Sequence, residues 1–240
     1  MTINYQNVLP DPNNTIGSAG QNSGTAGPGY AGVQLISTSP IMKSRTNSGR
    51  MVARAVASHK WEVGISYNPM TRFQFEPVYN FLINRRGGMK PFFVSLPQYR
   101  RAQDSTFADY AEASTGANIK SIASVTSGST SMTIDGLSSS SGSPSPGDLF
   151  TVTDANDSNH TKTYRVTQVE TNATYDSTQP TTAQRIIHFV PGLAKAVANN
   201  STIIFHNPLI RVTVASGVQE YSLGTNGLYS FSLKLEEAQP

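Results

Sequence analysis

The stretch Trp61–Tyr99, WEVGISYNPMTRFQFEPVYNFLINRRGGMKPFFVSLPQY, decides the fold of this chain. Its first seven residues alternate, with Trp61, Val63, Ile65 and Tyr67 on one face. This period of two residues predicts a half-buried β-strand. A helical pattern, a Gly-Gly pair and a second apolar segment follow. The stretch therefore predicts a strand–helix–strand unit.

A helix is predicted over residues 71–86, with Thr71 as its N-cap. Pro77 interrupts the pattern, so the helix either starts closer to Glu76 or is kinked at its first turn. Four apolar residues share one helical face and, with Trp61 and Phe92, form the predicted core: Phe75, Val78, Tyr79 and Leu82.

Arg85 and Arg86 end the predicted helix, where positive charge is favourable against the helix dipole, and Gly87 suits a left-handed C-cap. Charge compensation accounts for the arginine pair, and a role in a subunit interface is the alternative. Phe92 then opens a buried strand that stops at Pro97.

The rest of the chain consists of short β patterns and turn residues rich in Ser, Thr and Gly. The sequence predicts a mainly β (α+β) protein with one β domain formed by residues 33–117 and 209–240. Residues 118–208 hold five or six short strands and predict an inserted small β-barrel or sandwich. Residues 1–32 have almost no apolar periodicity and are either a disordered tail or an extended arm that orders on a neighbouring subunit.

The composition limits how the fold is held together. Charged residues make up 14% and hydrophobic residues 37% of the 240 residues, and cysteine is absent. Neither disulfides nor thiolate metal sites are available. Residues 1–10 lack the pattern of a secretory signal, and no apolar run approaches the roughly 20 residues needed to span a bilayer. We therefore expect a soluble chain made in the cytoplasm, without membrane insertion.

Charge is unevenly distributed along the chain. Residues 1–101 carry 11 Lys and Arg against 3 Asp and Glu, whereas residues 102–240 carry 7 against 12. This polarity favours head-to-tail contact between subunits, or docking on an acidic partner. The basic residues are scattered and not interleaved with aromatic side chains, so we expect no sequence-specific nucleic-acid binding.

No pattern of catalytic, cofactor-binding or metal-ligating residues stands out, and the protein is not expected to be an enzyme. The four histidines lack ligand spacing. A polysaccharide-degrading enzyme would need two converging carboxylates, and spacing nominates no pair among Asp148, Asp154, Asp157 and Glu170. A virion adhesin that binds host-surface polysaccharide is a further alternative, supported by Tyr164, Tyr175 and the polar loops.

Two blocks of motifs resemble the distal tail and tail-tip (baseplate) proteins of long-tailed bacteriophages. The first is the strand with Trp61, the helix, RRGGMKPF over residues 85–92 and Leu96-Pro97. The second contains GDLF, YRV, FVPGL and FHNP, which begin at residues 147, 164, 189 and 205. The order and spacing of these motifs carry the resemblance over residues of roughly 50–235.

The resemblance implies a β-sandwich or split-barrel domain that forms a homo-oligomeric ring, commonly of six subunits, around the channel through which DNA passes. The ring would lie in the virion tail, between the tail tube and the baseplate or tip. The inserted barrel would project outward to hub, fibre, receptor-binding or wedge components.

A basic lumen would retard passing DNA, so the basic residues around the Gly-Gly turn are expected at a subunit or tube interface. These candidate interface residues are Arg85, Arg86, Lys90, Arg100 and Arg101.

Overall fold

The computed structural model describes residues 7–12, 27–55, 59–113, 118–154, 160–171, 181–217 and 220–238. Most of the predicted N-terminal arm, together with Asp157 and Tyr175, lies outside these ranges. The described residues form fourteen strands and two α-helices, so the chain is mainly β, as predicted. These elements are β1 Tyr30–Thr38, β2 Ile41–Arg45, β3 Met51–Ala55, β4 Lys60–Tyr67, α1 Arg72–Asn84, β5 Phe92–Ser95, α2 Ser105–Glu112, β6 Lys120–Ser121, β7 Ser131–Asp135, β8 Leu149–Thr153, β9 Thr163–Glu170, β10 Arg185–Val190, β11 Thr202–Ile204, β12 Leu209–Val214, β13 Tyr221–Leu223 and β14 Tyr229–Glu237.

The chain divides into two compact units. The first contains residues 1–94 and 212–238, and the second contains residues 95–211 together with 239–240. The sequence analysis placed residues 95–117 with the first domain, but the structure places them with the second unit. The physical reason is Phe107 of α2, which is fully buried in the hydrophobic core of the second unit.

The first unit is built on a curled sheet with the strand order β1-β4-β14-β12-β5, and β13 pairs with one end of β14. Trp61, Val63, Ile65 and Tyr67 are buried on one face of β4, as their alternation predicts. The last strand, β14, lies beside β4 in antiparallel register, so the prediction that the chain's end rejoins the first domain's sheet is confirmed.

Helix α1 packs its predicted apolar face inward. Phe75, Val78 and Leu82 are buried, whereas Tyr79 is half-buried. The helix begins at Arg72 behind a capping box formed by Thr71 and Gln74, so a start closer to Glu76 is wrong. Proline at position 77 removes the hydrogen bond to the carbonyl of Phe73. Because Phe73 is 70% exposed, water can satisfy that carbonyl.

Strands β2 and β3 form a separate two-stranded antiparallel hairpin. From the sequence, Val33, Leu35 and Ile41 are expected to belong to one strand, interrupted by Pro40. That assignment is wrong, because β1 ends at Thr38 and Ile41 opens a different sheet. Proline lacks the N–H group that a continuing ladder would need.

The second unit is a closed six-stranded barrel with the order β10-β7-β6-β11-β8-β9. Its interior is filled by side chains, and aromatic rings pack in its centre: Phe150 lies 5.4 Å from Tyr164 and 5.3 Å from Phe189, centroid to centroid. Of the predicted barrel or sandwich, the structure shows the barrel.

Candidate subunit interface

Arg85 is buried, although it was predicted to lie at an intersubunit surface. Only 6% of the residue is exposed. Its Nη1 donates a hydrogen bond to Oδ1 of Asn7 over 2.5 Å, and its guanidinium lies 4.2 Å from the ring centre of Phe81. Burial lowers the pKa of the Arg85 guanidinium, since desolvation disfavours the charged form. The sequence alone gives no sign of these contacts.

The partner of Arg85 belongs to an N-terminal segment that packs on the first unit of its own chain. Val8 forms a parallel bridge with Phe93, where the N–H of Phe93 donates to the carbonyl of Asn7 over 2.7 Å and that of Leu9 to the carbonyl of Phe93 over 2.8 Å. Leu9 is fully buried. Residues 7–12 are therefore held by their own chain, unlike the predicted arm that orders on a neighbour.

Arg86 and Lys90 are exposed on the turn that follows α1. Arg86 has a φ of 52°, and Gly87 and Gly88 continue in the left-handed region with φ of 62° and 96°. The turn lies against β12, because the hydroxyl of Thr213 donates to the carbonyl of Gly88 over 2.6 Å. This arrangement leaves two cations exposed on a turn that is fixed at its base.

The neighbouring Met89 is 80% exposed. A large apolar side chain beside two cations suits contact with another molecule better than contact with water alone.

Arg100 and Arg101 lie in the second unit. Arg101 is bonded to Asp109 and to Glu112, the latter over 3.3 Å, and all three side chains are largely exposed. Such pairs contribute little to stability. Arg100 is half-buried, and its carbonyl accepts the N–H of Asn207 over 2.7 Å.

The division into units also redistributes charge. The first unit carries 10 Lys and Arg against 6 Asp and Glu, and the second carries 8 against 9. The excess of positive charge therefore belongs to the first unit, and it is smaller than the division at residue 101 suggests.

The β2–β3 hairpin is a candidate interface that the sequence analysis missed. Every described side chain on its two strands is exposed. Four of them are large and apolar, with exposures between 51% and 67%: Ile41, Met42, Met51 and Val52. The same hairpin contains no acidic residue and four basic ones: Lys43, Arg45, Arg50 and Arg54.

Both faces of this hairpin mix apolar and basic side chains. The register pairs Arg45 with Met51 and Met42 with Arg54, so neither face is purely polar. The sequence contained a signal for this hairpin, because two runs of apolar and basic residues flank a turn-forming segment. Neither run alternates in a way that would mark one face as polar and exposed.

Tyr164, which supported the adhesin alternative, is fully buried in the barrel core. Its hydroxyl lies 2.8 Å from Nε2 of His160 and accepts the N–H of Ala194 over 3.0 Å. The ring therefore offers no face to a glycan. Tyr175 lies outside the described residues.

The carboxylates considered for an enzyme make local hydrogen bonds. Asp148 accepts the N–H groups of Gln103 over 3.0 Å and Ser145 over 2.8 Å, which ties down the serine-rich loop. Burial raises the pKa of Asp148, and these hydrogen bonds only partly oppose the effect. Asp154 accepts the N–H of Ala198 over 3.2 Å.

Glu170, the remaining carboxylate within the described residues, contacts His188 over 2.6 Å between two neighbouring barrel strands. Both side chains are partly exposed.

Within the described ranges, no three His, Cys, Asp or Glu side chains are grouped as a metal site would need. Neither helix there has the length and apolar content to span a membrane. Compared with models of known protein families and with curated protein sequences, the chain matches none.

Proposed function

We propose that this chain is a virion structural protein that forms a homo-oligomeric ring, of six subunits, at the distal end of a phage tail. In this role it connects the tail tube to baseplate, fibre or receptor-binding components. The first unit is the ring domain, of split-barrel type, and the barrel unit holds the baseplate, fibre or receptor-binding components. Chemistry on a substrate has no part in this function.

The observation that carries self-assembly is the exposed β2–β3 hairpin. An isolated two-stranded sheet is marginally stable in water, and this one exposes large apolar side chains on both faces. Four large apolar side chains exposed on one short hairpin suit a protein–protein contact site better than a free surface. A partner that covers the hairpin therefore gains apolar burial and stabilises the two strands.

The resemblance to distal tail proteins supports the rest of the proposal. The strand, helix, Gly-Gly turn and second strand of the first motif block are β4, α1, residues 85–90 and β5. The second block falls on the barrel, where GDLF enters β8 and YRV lies in β9. The resemblance implies a β-sandwich or split-barrel domain with an inserted β-barrel, and the curled sheet and the closed barrel of this chain support it.

Imaging of the purified protein by negative-stain electron microscopy tests the proposal. We expect closed rings with a central opening and a discrete number of equal subunits. The variant Arg86→Glu with Lys90→Glu should form fewer rings, because both residues are exposed candidate interface residues and neither substitution removes a buried contact. Single compact particles without rings for the wild-type protein, at concentrations where it stays soluble, would contradict the proposal.

A further inference from the structure

We propose that the β2–β3 hairpin of one copy docks on an aromatic surface of the first unit of a second copy. This surface, the aromatic shelf, consists of Tyr79, Tyr221 and Leu223. The inference rests on the proposed self-assembly and specifies its contact. The repeat is head-to-tail, with the hairpin as the donor and the shelf as the acceptor.

The aromatic shelf is a rigid and accessible platform. Tyr221 is 49% exposed and Leu223 is 57% exposed. Below them, the Phe75 ring lies 5.0 Å from that of Tyr221 and 5.1 Å from that of Tyr79, centroid to centroid. These ring contacts fix the orientation of the exposed side chains before a partner arrives.

The chemistry of the hairpin complements the shelf. Lysine and arginine are attracted to the faces of tyrosine rings, and methionine packs favourably against them. Glu220, exposed beside Tyr221, adds a negative charge. Hairpin-to-hairpin pairing is disfavoured, because each copy brings four cations and no acidic residue between Ile41 and Arg54.

The sheet register places the two surfaces at opposite ends of β4 in the first unit. The hairpin leaves β1 after Thr38 and returns at Lys60, and these two residues are register partners. At the other end of β4, the N–H of Met70 and the carbonyl of Tyr229 are 2.8 Å apart, and Tyr229 is the register partner of Leu223. The eight residues of β4 separate the ends by roughly 23 Å.

Because they lie at opposite ends of β4, the hairpin and the aromatic shelf of one copy do not contact each other. A contact between two copies uses the hairpin of one and the aromatic shelf of the other. The second hairpin and the second shelf remain free to bind further copies. Such a heterologous contact repeats until it closes into a ring or extends as a filament. A two-fold dimer would instead use the same surface from both copies.

The absence of cysteine from the chain permits a direct test. The variant Val52→Cys places one thiol on the hairpin, Leu223→Cys places one on the shelf, and both positions are exposed. The full-length double variant is treated with a short bismaleimide, and the products are separated under denaturing conditions. The control double variant combines Val52→Cys with Ile122→Cys, which lies 40% exposed in the second unit.

We expect the Val52→Cys/Leu223→Cys chain to give a ladder of covalent multimers. Its cross-linking should be about ten times that of the control pair, because a specific contact raises the effective concentration of the two thiols. In a mixture of the two single variants each chain carries only one thiol, so cross-linking should stop at the dimer. Each single variant alone should remain a monomer.

Two results would overturn the head-to-tail contact. One is cross-linking of the hairpin–shelf pair no greater than that of the control pair. The other is efficient cross-linking of Val52→Cys alone, which would indicate hairpin-to-hairpin contact. Rings seen by microscopy together with either result would leave the proposed function standing without this contact. A ladder without rings would support the contact and contradict the closed ring.

Discussion

The guanidinium of Arg85 donates a hydrogen bond to the side-chain oxygen of Asn7 and lies against the ring of Phe81. This contact joins the end of α1 to the N-terminal segment of the same chain. The adjacent Arg86 has the same charge but is exposed. Two neighbouring arginines that the sequence treats alike therefore have different physical roles.

Charge reversal separates these two roles. Arg85→Glu should lower the free energy of unfolding by at least about 2 kcal/mol, because it buries a carboxylate and removes the hydrogen bond to Asn7. Arg86→Glu should change it by less than about 0.5 kcal/mol, as for other exposed sites. Urea denaturation followed by Trp61 fluorescence measures both. Equal effects at the two positions would contradict the assigned roles.

Strain at Arg86 gives a second prediction. Its φ of 52° is costly for a residue with a Cβ, so Arg86→Gly should raise the free energy of unfolding by about 0.5–1 kcal/mol. Arg86→Ala removes the same charge and keeps the strain, so it should not be stabilising. Thermal denaturation of wild type, Arg86→Gly and Arg86→Ala measures these effects. An Arg86→Gly protein less stable than Arg86→Ala would contradict the predicted strain.

Close packing at a barrel glycine gives a third prediction. A Cβ on Gly136 would lie 1.9 Å from the carbonyl oxygen of Asn118, whereas a Cβ on Gly128 would meet nothing within 4 Å. Both glycines have positive φ, 88° and 85°. Gly128→Ala should cost about 1 kcal/mol through strain alone, and Gly136→Ala should cost several times more. Similar urea midpoints for Gly136→Ala and Gly128→Ala would show that the backbone near Asn118 shifts to accommodate the added Cβ at little cost.

The raised pKa of Asp148 makes stability depend on pH. Burial makes the folded state bind this proton at a higher pH than the unfolded state does. The contribution of Asp148 to the free energy of unfolding therefore falls as the pH rises through the interval between the two pKa values. The advantage of wild type over Asp148→Asn should be larger near about pH 4 than near about pH 7. Thermal denaturation of both proteins across this pH range tests the prediction. A stability advantage of wild type that grows with pH would indicate that the pKa of Asp148 is lowered.

Local patterns were sufficient to predict the strand–helix–strand unit. Thr71 caps α1 where expected, and the alternation in β4 matches its buried face. Short strands at regular spacing predicted a barrel or a sandwich, and the structure shows the barrel. These features depend on residues close together in the chain.

Contacts between distant residues were not predictable in the same way. The bond from Arg85 to Asn7 spans 78 residues, and the serine-rich loop is tied by Asp148 and by Asp104, whose Oδ2 accepts the N–H of Ser143 over 3.2 Å. The loop's composition suggested only low complexity. Asp148 lies only three residues from Ser145, but Asp104 lies 39 residues before Ser143, and spacing gives no sign of that second contact.

The candidate interface was predicted only in part. Arg85 was predicted to be an interface residue because of its charge. The structure shows that Arg85 is buried, whereas Arg86 is exposed. The β2–β3 hairpin was overlooked because two short runs of mixed apolar and basic residues do not show whether another part of the chain covers them. Only the structure shows that all of its described side chains are exposed.

The molar mass of the purified wild-type chain in solution tests the central claim most directly. Light scattering behind a sizing column should give a discrete multiple of the 25.8 kDa monomer, and the account predicts six copies. A single species of 25.8 kDa at every concentration at which the protein stays soluble would contradict a self-assembling ring protein.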